Sequence, residues 1–448
     1  MSSLGALREP LAIGVGSLGE KYWIDTTPTD GMAAGICDPL GQYHFLSSTS
    51  KLVEIDNRNT TIRIDQNTGS LANSNPSGLT STMTINDADI ILGYRDQANR
   101  TIGAAFATNG NIGANGFGFS ANGAGFLSLG NIIVDSLNNY IICGGGPSSA
   151  NIGRGLIAKF NSSKVLQWQK RTQYPSSNVY PFVSDVLSDG SNIYATGYES
   201  GTIGGRDGFI LKASSTGNLI WAVNTGDFHP NKLSFIDSSS NLIVAGSDRV
   251  SGKGIISKVD LSGNLLSQAN ITASGFEPTT DAPVTALVVD NNNNVIIAGE
   301  FQDRTPVPIQ GLSAAYVISL NSSLSNSNFI RRFIGNVTSP SGGSPLGRIY
   351  DISQYDNRAL YITGQVGFTR TSGVAFKTPI DGKILQSGSY VLGNVNISYT
   401  TYANLNVAYG NAYTFTSSNI TLQTGTNNLI TTTSSFAPTT LTIDKLSL

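Results

Sequence analysis

Leu233-Ser234-Phe235-Ile236-Asp237, Ser238-Ser239-Ser240 and Asn241-Leu242-Ile243-Val244-Ala245-Gly246 read together as two short apolar strands joined by a tight polar turn. Just beyond, Gly254-Ile255-Ile256-Ser257-Lys258-Val259-Asp260 turns through Leu261-Ser262-Gly263 into Asn264-Leu265-Leu266. The unit is therefore four antiparallel strands within residues 233–268. Its strands are apolar runs more than strict alternations, which is expected of a sheet covered on both faces.

Working outward, the end of the second strand recurs at Ser47, Gly93, Gly144, Gly197, Gly246, Gly299, Gly364 and Thr416. The successive spacings are 46, 51, 53, 49, 53, 65 and 52, an average of about 53 residues. Units of this length and content are blades, so the spacing predicts an all-β, eight-bladed β-propeller, with seven blades and a terminal appendage as the alternative count. All three tryptophans stand at one place in the repeat: Trp168 after Val165-Leu166-Gln167, Trp221 after Leu219-Ile220, and Trp23 after Lys21-Tyr22. The last unit offers Leu405–Ala408, Ala412–Thr416 and Thr440–Lys445 but no outer strand. Residues 20–27 resemble the strand that is lacking, so the ring is expected to close by pairing 20–27 with 403–448. Residues 19–448 are then one propeller domain, and residues 1–18 an N-terminal arm.

Composition agrees with many short strands and tight turns. Of 448 residues 50 are glycine, and charged residues make up 12% against roughly 25% in an average domain. A net charge of -2 gives no field to attract a polyanion, which argues against nucleic-acid binding. No run of about 18 uncharged apolar residues is present, so no membrane span is expected. Residues 1–18 carry Arg8 and Glu9 and do not read as a secretory signal. A surface rich in Asn, Ser, Thr and Gly without an export signal suggests a particle assembled in a host cytoplasm and exposed outside the cell, such as a bacteriophage virion. Cys37 and Cys143 lie in short apolar strands of different repeats and read as buried free thiols.

Asp207-Gly208-Phe209-Ile210-Leu211-Lys212 with Gly217-Asn218-Leu219-Ile220-Trp221, followed by residues 237–246, resembles the bacterial β-propeller repeat family. Similar residues stand at 156–168, 254–266 and, more loosely, 374–385, so the resemblance covers roughly residues 132–366. The sixth unit departs from it, with Ser319 where Lys is expected and no Gly-Asn turn. The resemblance implies a propeller and no particular activity. In general style the chain is also similar to structural proteins of marine and cyanobacterial phages.

Candidates for chemistry are few. Of the two histidines, His44 sits mid-strand and reads as packed, whereas His229 in Asp227-Phe228-His229-Pro230 reads as a loop residue able to touch a ligand. No nucleophile constellation or metal-ligand spacing accompanies either, so no catalytic residue, metal or cofactor is expected. The turns 135–139, 237–241 and 290–294 lack the spaced carboxylates of a calcium loop. A glycosidase pair could come from Asp185, Asp207, Glu277, Asp281, Glu300 or Asp303 on different blades. Binding candidates are Phe228 and His229, together with Phe301, Asp303 and Arg304 at the start of the longest insertion. The expected protein is a non-enzymatic virion component, in a tail, fibre or other surface structure, that docks other virion proteins and touches a host glycan or receptor. The alternatives are a bacterial extracellular carbohydrate-binding propeller and a glycan-cleaving enzyme on the same scaffold.

Overall fold

The computed structural model describes residues 23–27, 32–38, 41–47, 51–56, 58–59, 61–67, 82–85, 89–96, 101–108, 116–121, 128–146, 154–173, 179–201, 207–273, 283–303, 312–337, 347–355, 357–366, 372–381, 388–392, 395–401, 405–410, 416–417, 421–424, 429–434, 436–438 and 444–447. These residues form strands gathered into seven sheets. Six of the sheets start from four consecutive antiparallel strands, at residues 32–67, 82–121, 128–173, 179–226, 228–273 and 284–337. The seventh joins Gly347–Tyr355, Ala359–Val366 and Ser372–Pro379 to Trp23–Thr27. The first strand of each sheet contacts the first strand of the next, and the seventh returns to the first, so the ring closes and the fold is a β-propeller.

The eight-unit expectation is corrected by the C-terminal segment, which makes no blade of its own. It runs around the ring and lays one strand on the outer edge of each sheet. Val395–Thr401 covers the sixth, Leu405–Tyr409 the fifth, Thr416–Ser417 the fourth and Thr421–Thr424 the third. Leu429–Ser434 then covers the second, Phe436–Pro438 the first and Asp444–Ser447 the seventh. Trp23–Thr27 is paired on both sides, with Ser372–Pro379 and with Asp444–Ser447. The third strand beside it is therefore Ser372–Pro379, where the sequence reading had placed residues 440–445. A strand covering another blade's edge carries the same alternation as a strand in a hairpin, so pattern alone could not separate the two. Residues 1–18 and Tyr22 lie outside the described residues.

The repeated Trp and Lys act between blades. Trp168 faces Lys159 across the ladder, Trp221 faces Lys212, and Trp23 stands opposite Lys377 in the same register. Trp168 Nε1 donates to Ser215 O of the following blade at 3.0 Å, and Trp221 Nε1 to Leu261 O at 3.0 Å. Gly263, in the turn that Trp221 reaches, has φ +93° and would place a Cβ only 3.2 Å from the indole. A positive φ and a flat aromatic neighbour together select glycine there. Lys258 Nζ pairs with Asp237 at 2.5 Å and also donates to Ser322 O of the next blade at 3.1 Å. The sixth blade, which lacks the Gly-Asn turn, uses a longer one in which Leu324 takes φ +55° and the Asn321 side chain accepts from Ser325 N.

The apolar cores lie between sheets. One holds Ile243, Ile256 and Ile271 of the fifth blade against Val295, Ile297 and Ile318 of the sixth, and another joins Tyr194 and Ile210 of the fourth to Leu242 and Val244 of the fifth. A blade alone would expose both faces, so blades cannot be stable singly. The Asp turns are explained locally: Asp135 accepts from Leu137 N and Asn139 N, and Asp290 from Asn292 N and Asn294 N. Burial alone would raise the Asp135 carboxyl, but hydrogen bonds from Asn139 and Lys159 hold it below the usual carboxylate range. His44 is buried with Nε2 3.2 Å from Asp38 Oδ2. Cys37 and Cys143 are buried free thiols, and burial pushes Cys37 up to about 12.

Two outcomes follow. A chain ended at residue 402 bares the outer edges of six sheets, and its thermal midpoint falls by more than about 10 °C with visible aggregation. Gly246→Ala drives a Cβ into His229 O, and urea titration should show a loss of roughly 1–3 kcal/mol.

Candidate functional site

Six of the seven inner strands lose register with their partners; Thr82–Ile85 of the second sheet keeps it. The shifts fall between Met32 and Ala34, Leu129 and Asn131, Val183 and Asp185, Pro230 and Lys232, Val284 and Ala286, and Ile349 and Asp351. A bulge adds one residue and re-aims the side chains beside it. Four consecutive residues thus take fixed parts: a residue of the cavity lining, a buried anchor, a bulged residue that also lines the cavity, and a fourth that is Asp185, Lys232 or Asp351. Phe182-Val183-Ser184-Asp185, His229-Pro230-Asn231-Lys232 and Arg348-Ile349-Tyr350-Asp351 are three such sets. The bulged hydroxyls stitch the blades together. Ser184 Oγ donates to Pro230 O at 2.7 Å, and Thr285 Oγ1 to Ile349 O at 2.5 Å, each on the following blade.

These strands surround a cavity of about 390 Å³ at the mouth of the central channel. One wall is aromatic: Phe182 and Tyr198 have ring centres 5.5 Å apart, and Tyr198 stacks on His229 at 4.9 Å with 10° between planes. On the seventh blade, the Arg348 guanidinium makes a forked ion pair with Glu300 of the sixth, its Nε 2.6 Å from Oε2. The same guanidinium lies 5.8 Å from the centre of the Tyr350 ring, whose hydroxyl donates to Gln365 Oε1 at 2.5 Å. Asn231, Lys232 and Ser247 complete the polar lining.

Below the mouth, Asp185 is 3% exposed. It accepts from Asn131 Nδ2 at 2.5 Å, Val186 N at 2.8 Å and, across the blade boundary, Leu233 N at 2.7 Å. Asp351 accepts from Ile352 N at 2.9 Å. Burial raises both carboxyls, and the charge of Lys232 opposes the rise in each; Asp351 is pushed up to about 6. Asp185 adds to the rise at Asp351, so the two share one electrostatic environment with the lysine between their blades.

Of the residues singled out from sequence, His229 lines this cavity from a strand, Phe228–Ile236, in place of the expected loop. Phe228 is corrected: it is fully buried, packed between the fourth and fifth blades, because its side chain points to the opposite face of the strand from His229. Phe301 and Asp303 belong to the strand Val295–Asp303, at register positions opposite Ala314 and Leu312. Arg304, Glu277 and Asp281 lie outside the described residues. Among the carboxylates, Asp185 is buried and bonded to Asn131, Glu300 holds Arg348, and Asp207 accepts from Asn224 Nδ2 at 2.7 Å. Phe182, Tyr198, Lys232, Arg348, Tyr350 and Asp351 were not anticipated. The signal that could have found them is the apolar anchor recurring as Leu129, Val183, Pro230, Val284 and Ile349, which fixes the positions on either side.

Among the described residues no group of three or more His, Cys, Asp or Glu side chains could hold a metal ion, and no helix is long and apolar enough to cross a membrane. No family model matches the chain, and no curated protein matches it. Among solved structures the chain is similar to BamB from Moraxella catarrhalis, at 14% identity over 78% of this chain and 85% of that one, with a TM-score of 0.39. It is also similar to the C-terminal WD40 domain of Sif2, at 11% identity over 78% of this chain and 97% of that one, with a TM-score of 0.42. The assignment of this chain as a β-propeller rests on its own sheet order and ring of contacts.

The raised Asp351 gives a pH signature whose sign is opposite to that of a salt-bridged carboxylate. Its folded value of about 6 lies above an unfolded value of roughly 3.9, so the folded state binds the proton more tightly. Its contribution to stability is fully present below about pH 4 and is lost as pH rises toward 6. Asp351→Asn should therefore leave the thermal midpoint unchanged at pH 4 and raise it at pH 8; an equal shift at both pH values contradicts the assignment.

Proposed function

We propose that this propeller is a non-enzymatic docking and adhesion module of a bacteriophage virion, set in a tail, fibre or other surface structure. In this reading its flanks meet other virion proteins and its cavity-bearing face is turned toward the host. The observation that carries the reading is the C-terminal segment that covers the outer edge of every sheet. The strand that ends each sheet is then only two to six residues long; long open edges invite strand pairing between molecules, and a protein packed at high local density in a particle must keep them short. Covered edges leave the loops free to vary while the ring stays fixed, as suits a surface that follows a changing receptor. The carboxylates nearest the mouth are occupied in holding the ring, Asp185 by three donors and Glu300 by Arg348, which supports binding over catalysis.

A second reading, an extracellular carbohydrate-binding propeller of a bacterium, is favoured by the aromatic wall of the cavity. Mass spectrometry of purified virions separates the two. The virion reading expects this chain in fixed stoichiometry with other particle proteins after density-gradient purification. Recovery of the chain only from culture medium or cell envelopes rejects it.

A further inference from the structure

We infer that the cavity at the channel mouth is a binding subsite for a neutral pyranose, one or two sugar rings in extent; this rests on the adhesion reading and names what the adhesive face takes. Volume is the first argument. About 390 Å³ falls in the range of small-molecule pockets, roughly 300–1,000 Å³.

The lining is the second argument. A pyranose presents an apolar face of C–H groups and a rim of hydroxyls, so it needs aromatic surface beside groups that both donate and accept. Phe182, Tyr198 and His229 bring that surface to the lining as one cluster, Tyr198 stacked on His229 and tilted against Phe182. In the same lining, Arg348 and Lys232 offer donors, Asn231 and Ser247, the latter paired with His229 across the ladder, offer both roles, and Ser184 and Thr285 have committed their protons to Pro230 O and Ile349 O, leaving oxygens that accept. The rings are set on strands and the hydroxyls on bulges locked by cross-blade hydrogen bonds, so the site is preorganised and little ordering cost falls on binding.

Charge is the third argument, and it selects the class of sugar. Of the two cations of the lining, Arg348 is paired with Glu300, and the charge of Lys232 acts on Asp185 and Asp351. No surplus positive charge remains for a carboxylate, sulfate or phosphate, and a bound anion would sit near carboxyls already penalised by burial.

Calorimetric titration of the full chain at pH 7.5 tests this, with glucose, galactose, mannose, N-acetylglucosamine, cellobiose and lactose as neutral probes and glucuronic acid, N-acetylneuraminic acid and inorganic phosphate as anionic ones. At least one neutral sugar should bind, and its charged counterpart at least about tenfold more weakly. His229→Ala removes one ring and should weaken the neutral sugar about tenfold. Ser247→Trp fills the cavity from its wall and should abolish binding while circular dichroism and thermal midpoint stay those of the parent. The inference is overturned if no neutral sugar binds at about 10 mM, if Ser247→Trp with a native spectrum still binds, or if an anionic probe is preferred. Presence of the chain in virions with no sugar bound rejects this inference and leaves the docking reading standing; a sugar-binding chain absent from particles does the reverse.

Discussion

Trp23–Thr27 is hydrogen-bonded on both of its edges, to Ser372–Pro379 on one side and to Asp444–Ser447 on the other. Everything else in the fold depends on that double pairing. It makes the first described strand the fourth strand of the last blade, and it anchors the far end of the segment that circles the ring. Three stretches widely separated in sequence become neighbours in one sheet. Such contacts have a high closure cost, recovered only when the whole ring has formed, so the assembly is expected to be cooperative.

The energetic reason a ring is needed lies in where the apolar side chains sit. Isoleucines and valines of the second and third strands meet those of the adjacent blade, so burial is a property of neighbouring pairs of blades. Lys258 and Trp221 repeat this logic with polar groups, each reaching a backbone carbonyl in the turn of the following blade. Toward the axis the same neighbours are stitched by Ser184 and Thr285. The bulges that create those stitches also turn alternate side chains into the mouth, so one local irregularity both links the ring and builds the cavity.

How much of this was legible in the sequence follows from which features are local. The second-strand glycines stood out because the inner-strand carbonyl comes close to them, as His229 O does to Gly246, and no other residue fits. The Trp and Lys positions stood out because three blades carry the same facing pair, Trp168 with Lys159, Trp221 with Lys212 and Trp23 with Lys377. The circling segment did not, since Leu405–Tyr409 and its successors carry the short alternating pattern of any strand and their partners lie far away in sequence. Counting Thr416 as an eighth strand end was the consequence. The cavity was equally hidden. Its wall is Phe182, His229 and Arg348 at one structural position on three blades, and side chains that differ at each repeat leave no motif. Only His229 was noticed, for being one of two histidines, and its neighbour Phe228 was noticed with it although strand alternation turns it into the core.

Hydrogen–deuterium exchange followed by mass spectrometry addresses the encircling segment directly. If it completes every sheet, the inward-facing backbone amides of Leu405–Tyr409, Thr421–Thr424 and Leu429–Ser434, alternate residues of each strand, are protected from exchange, and lose that protection together with the blade strands they pair with as denaturant is added. Exchange of these amides at the rate of an unstructured peptide, while the blades remain protected, would show that the ring stands without its strap and contradict the account.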